Sequence, residues 1–138
     1  MRRGRPILVI LTFLFLASHG IGSFFSLYEQ ISWFDILLHV LGGAWLASIF
    51  VVLGPLRYPS YFAGLPLFRS MLRIVFLVLT AGILWELYEY GFAVWATARF
   101  GNLGFSQPFL DTLSDLLLDI LGAAVITLLL LREKREVA

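Results

Sequence analysis

Three short stretches concentrate the groups in this 138-residue chain that could bind a metal or move a proton. "FDILLHVLGG" (34–43) carries Asp35 and His39, four positions apart. "GILWELYEYGF" (82–92) carries Glu86 and Glu89, three apart. "DTLSDLLLDILGA" (111–123) carries Asp111, Asp115 and Asp119, again at intervals of four. Spacings of three and four put side chains on one face of a helix. Carboxylates joined by imidazole form a donor set that suits Mg, Mn, Zn or Fe. The expected cofactor is therefore a divalent metal ion of that group. Its expected ligands are His39, Glu86, Glu89, Asp115 and Asp119, with Asp35 and Asp111 beside them.

The elements that carry these residues are apolar. Of the chain, 60% is hydrophobic and 14% charged, against roughly a quarter charged in a soluble domain. Four stretches reach the ~20 residues needed to cross a bilayer: about 6–25, 34–54, 71–95 and 111–131. The expected fold class is all-α, a polytopic membrane protein with four transmembrane helices in one domain, 1–138. No cysteine is present, so thiolate metal sites and disulfides are excluded. No nucleic-acid partner is expected; membrane lipid is, with a homo-oligomer or a larger membrane complex left open.

Basic residues set the expected orientation. Arg2, Arg3, Arg5, Arg57, Arg69, Arg73, Arg132, Lys134 and Arg135 fall on one side of a four-span chain, and Arg99 alone on the other. The positive-inside rule then puts both termini in the cytoplasm. Tyr28, Trp33, Trp95 and Phe100 read as anchors of the outer interface, Tyr58 and Tyr61 of the inner. A cleaved signal peptide over the first span is the competing reading, resting on a weak cleavage pattern around Gly20 and Gly22.

Orientation and rise per residue together give depth. At 1.5 Å per residue, His39 lies about 7 Å inside the outer end of its span. Glu86 and Glu89 lie about 13 and 9 Å inside, Asp115 and Asp119 about 6 and 12 Å, and His19 about 9 Å. The topology rests on Arg and Lys alone, yet it brings these acids and histidines into one slab of the outer leaflet. Intramembrane ionisable groups are costly and mark function by default. The bland alternatives are solvated helix ends for Asp35, Asp111 and Glu29, and a hydrogen-bonded core residue for His19. Asp111 is read as the N-cap of the fourth span. Pro55, Pro59 and Pro66 are read as keeping 55–70 non-helical, and Gly101 and Gly104 as turns before Pro108. Gly42, Gly43 and Gly122 are expected where helices touch.

The order Asp-x-x-x-His with Gly-Gly, then "LWELYEY", then "DTLSDLLLDILGA" resembles small bacterial inner-membrane proteins of the YjdF-like and VanZ-like groups. The match spans the second to fourth helices. Glu-x-x-Glu stands where the VanZ-like pattern has Glu-x-x-Gln, and the Asn of that pattern is missing from the fourth span, so the YjdF-like side fits better. The resemblance implies a bacterial inner-membrane location and makes Asp35, His39, Glu86, Glu89, Asp111, Asp115 and Asp119 the motif positions. It brings no assigned activity from the YjdF-like side and a link to glycopeptide tolerance from the VanZ-like side.

Three function classes stay open: a metal-dependent enzyme on a lipid or lipid-linked phosphate, with Arg99 holding the head group; a cation or proton carrier; and an accessory subunit with a structural metal. The leading expectation is a metal-binding membrane protein, with enzymatic activity left undecided.

Overall fold

The computed structural model describes residues 4–62, 65–101 and 109–136. Its elements are α1 (Gly4–Phe24), α2 (Leu27–Gln30), α3 (Phe34–Arg57), α4 (Pro59–Phe62), α5 (Leu67–Phe100) and α6 (Phe109–Glu136). No strand occurs among the described residues. The helices α1, α3, α5 and the Phe109–Arg132 part of α6 are each long and apolar enough to cross a membrane. The chain is an all-α polytopic membrane protein. Many of its large side chains point outward, as with Phe13, Phe76, Leu117 and Val125. A soluble protein would not carry so much exposed apolar surface. In lipid the helices instead satisfy their own backbone and leave apolar surface to the acyl chains.

α3 is the centre. It packs along α6, and α1 lies against its other side; α5 packs mainly on α6. α3 and α6 run in the same direction, α1 and α5 the opposite way. All four therefore share an upper end, where α1 and α5 finish and α3 and α6 begin. Close approach of α3 and α6 depends on two glycines. A Cβ on Gly43 would run into the Asp119 backbone, and one on Gly122 into the Val40 carbonyl oxygen. Small residues are the usual means of packing helices without a hydrophobic driving force. Gly42 faces the Phe15 ring of α1, 3.2 Å from where a Cβ would stand. All three glycines lie at helix contacts, as expected. Below them Ala47, Val51, Val52, Ile74, Val78, Ala123, Ile126 and Leu130 form one apolar core.

The α1–α3 contact is aromatic and polar. Phe15 stacks on Trp45 with ring centroids 4.7 Å apart, and the Trp45 indole donates to Thr12 Oγ1 at 2.9 Å.

Several boundaries differ from expectation. α3 continues through Pro55 to Arg57. A proline near the end of a helix disturbs only the preceding turn, which an apolar span with α6 alongside tolerates. Pro59 opens the short α4 instead of breaking a loop, as a first-turn proline can. α5 runs from Leu67 to Phe100 rather than 71–95; its polar flanks hid the extra turns from a hydropathy reading. Asp111 lies within the first turn of α6 and is not its N-cap, where its charge still suits the helix dipole. Gly101 caps α5 with φ 87°, its N–H donating to the Thr97 carbonyl at 3.0 Å. Arg2, Arg3, Gly104 and Pro108 lie outside the described residues.

Candidate metal centre

Asp35 sits in the first turn of α3, where the helix N-terminus favours a carboxylate. His39 follows one turn deeper and is buried. Its Nε2 lies 3.7 Å from Asp35 Oδ1 and 3.9 Å from Asp115 Oδ1 of α6. Its Nδ1 lies 3.4 Å from Asp119 Oδ1, one turn further down α6. Three carboxylates therefore surround one imidazole, with Asp115 and Asp119 both buried. Asp35, His39 and Asp115 offer ligand atoms that all fall within 4.8 Å of one another.

α5 supplies the third wall. Glu86 is only 7% exposed. One of its oxygens has Thr112 of α6 as a hydrogen-bond partner. The other, Oε1, is buried with no partner. Four residues earlier, Gly82 leaves room for Asp119: a Cβ there would stand 2.7 Å from Asp119 Oδ2. Glu89 is half-buried, and the neighbouring Trp85 is its hydrogen-bond partner.

The expected site residues thus fall into tiers. Asp35, His39, Asp115 and Asp119 come together directly. Glu86 faces the same region from α5, and Glu89 stands above it. Asp111 is exposed, one turn above Asp115. Arg99 is ten residues beyond Glu89, about 15 Å along the helix; its guanidinium lies over the Phe100 ring at 5.9 Å.

Beside this centre, the Tyr28 hydroxyl lies 2.6 Å from His19 Nδ1. Burial pushes the Tyr28 phenol up to about 12, and nearby Asp35 and Glu89 add to this, with a Ser23 hydrogen bond opposing it. Tyr28 therefore stays protonated at neutral pH and acts as a donor. His19 also meets Trp85 edge-on, at 6.2 Å. His19 is hydrogen-bonded, as the bland reading expected, but is only half-buried and lies outside the core.

Sequence reasoning missed Gly82, Thr112 and the inward role of Tyr28. Gly82 and Glu86 are four apart, and Thr112 falls between Asp111 and Asp115, so helical periodicity could have found both. No local signal pairs Tyr28 with His19, because α2 and the turn that places it are set by tertiary packing.

A four-span helical bundle with an acidic and histidine centre buried near one end defines the class: a small integral membrane protein with a polar site inside its helices. The chain matches the family of predicted membrane proteins DUF2238 over residues 3–136 and belongs to it; this agrees with the YjdF-like side of the resemblance above and gives nothing for the VanZ-like side. No curated protein matches it. No solved structure matches it either.

Proposed function

We propose that the protein binds a divalent metal ion through His39 Nε2, Asp35 and Asp115, with Glu86 closing the site from α5. The carrying observation is the spacing around Nε2. Separations of 3.7 and 3.9 Å are too long for hydrogen bonds. Two donors each about 2.1 Å from one ion stand about 3.4 Å apart at a tetrahedral angle, so a closure of a few tenths of an ångström would let Asp35 and Asp115 share an ion with Nε2. The unpartnered Glu86 Oε1 supports the same reading, since a buried carboxylate oxygen without a donor is expensive. One imidazole with carboxylates favours Mn, Fe or Zn over Mg. The basic-residue bias supports a topology with both termini cytoplasmic and the site in the outer leaflet of a bacterial cytoplasmic membrane.

A second reading, a metal-dependent enzyme acting on a lipid or lipid-linked phosphate, draws on Glu86. A free carboxylate oxygen near a bound ion could accept the proton of metal-bound water. Arg99 is too distant to hold the head group near this centre. The carrier reading draws less on the fold, because the core beneath the centre is apolar among the described residues save for Ser48 and Thr127.

The test is elemental analysis of purified protein, with melting temperature measured with and without chelator, for the parent and Asp115→Asn. One equivalent of metal and chelator-sensitive melting are expected in the parent, and neither in the variant. A parent that holds no stoichiometric metal and ignores both chelator and added Mn or Zn would sink the proposal.

A further inference from the structure

We infer that Asp119 is not a ligand of the ion but the positioning residue that fixes His39, and that Gly82 is the seat its carboxylate requires. The inference rests on the reading of Asp35, His39 and Asp115 as a metal site. The two nitrogens of His39 face different surroundings. Nε2 looks at two carboxylate oxygens from two helices, 3.7 and 3.9 Å away, which with it make up a three-donor group. Nδ1 looks at one oxygen, Asp119 Oδ1, at 3.4 Å. An imidazole binds a metal through one nitrogen when the other keeps its proton, and a carboxylate accepting that proton fixes the tautomer and the ring plane. Asp119 is placed for that task, on the far side of the ring from Asp35 and Asp115.

Its own position is held from two directions. Its backbone abuts Gly43 of α3, where no Cβ could fit. Its second oxygen, Oδ2, lies against Gly82 of α5, where a Cβ would stand 2.7 Å away and would also meet Leu116 at 3.0 Å. The carboxylate is buried, so water does not compete for the His39 proton. Three helices thus converge on a residue that leaves the Nε2 lone pair free for the ion. Gly82 matters because the carboxylate, not a backbone, occupies the space beside it. A methyl group there would turn the Asp119 side chain without separating the helices.

The experiment uses the full chain in detergent, titrated with zinc, with the histidines labelled by 15N. His19→Gln assigns the two ring systems. In the zinc-loaded parent, Nε2 of His39 should carry the shift of a coordinated nitrogen. Nδ1 should keep a low-field, slowly exchanging proton. Asp119→Asn, Asp119→Ala and Gly82→Ala should each still bind one equivalent, with affinity reduced roughly ten- to a hundredfold. The Nδ1 proton should exchange faster in all three, and most in Asp119→Ala. A role in packing alone would leave that proton unmoved. Coordination through Nδ1, unchanged affinity and proton exchange in the Asp119 variants, or complete loss of zinc in Asp119→Asn as in Asp115→Asn, would each overturn this inference alone. A parent that takes up no zinc overturns the metal reading and this inference with it. Should Asp119→Ala not fold, Asp119→Asn and Gly82→Ala decide the matter.

Discussion

The crossing of Gly43 and Gly122 divides the α3–α6 seam into two halves that solve opposite problems. Below it, Ala47, Val51, Ala123, Ile126 and Leu130 meet Ile74 and Val78 of α5 in a close apolar fit. The polar groups there are few. Ser48 donates to the Trp45 carbonyl at 2.7 Å, and the Thr127 hydroxyl is buried without a partner. Above the crossing, the same helices bring His39, Asp115, Asp119 and Glu86 into the interior. The lower half is held mainly by apolar packing. The upper half gathers charges that no lysine or arginine among the described residues of the spans can balance at that depth. The lower half fixes where the helices stand; the upper half uses that placement to hold groups that would otherwise repel.

The most severe break should come at the crossing itself. Gly43→Val places methyl groups against the Asp119 backbone, which has no rotamer to escape into. A loss of about 3 kcal/mol or more is expected, read as failure to unfold cooperatively in detergent, with both halves lost together. Ile74→Ala tests the lower half separately. Cutting a fully buried side chain should cost about 2–4 kcal/mol, by thermal unfolding in chelator, while metal stoichiometry stays at one. Asp115→Asn tests the upper half. It should abolish the stabilisation that added ion gives the parent, about 2.7 kcal/mol at a hundredfold excess over Kd. In chelator the variant should be no less stable than the parent, because three carboxylates crowd one imidazole and losing one lessens their repulsion while two remain. If Asp115→Asn instead unfolds the metal-free protein, the upper half is structural and the division fails. Trp45→Phe removes the indole bond to Thr12 while keeping the stack on Phe15, and should cost about 1 kcal/mol. Arg99→Ala, exposed and remote from the centre, should change stability by less than about 0.5 kcal/mol and leave metal affinity unchanged.

The lower half was legible in the sequence, and the upper half only in outline. Uninterrupted apolar runs gave the four spans, and Gly42, Gly43 and Gly122 marked the contacts, because length and side-chain size are properties of single segments. Asp35 and His39 could be paired for the same reason: both are on α3, four apart. Which carboxylates converge on His39 depends on the rotation of α6 and α5 about their axes. Glu86 and Glu89 looked equivalent from their spacing, yet one is buried with an orphan oxygen and the other stands beside Trp85 at the rim. The ends of α3 and α5 were misplaced because proline and arginine near a membrane surface interrupt hydropathy without interrupting the backbone helix.

The seam also sets a schedule for biosynthesis. It joins the second span to the fourth, and 75 residues separate the end of one, Arg57, from the end of the other, Arg132. At a synthesis rate of roughly 5–20 residues per second, that interval is about 4–15 s. During it α3 is already made, with Asp35 and His39 lacking Asp115 and Asp119, and later α5 adds Glu86 with neither Thr112 nor the finished centre to receive it. A half-made chain thus holds its most polar residues unpaired until the last helix enters the bilayer. A ribosome that stalls before α6 leaves a membrane intermediate marked by unassembled charge, which gives the cell's membrane proteases and insertion factors a feature to recognise.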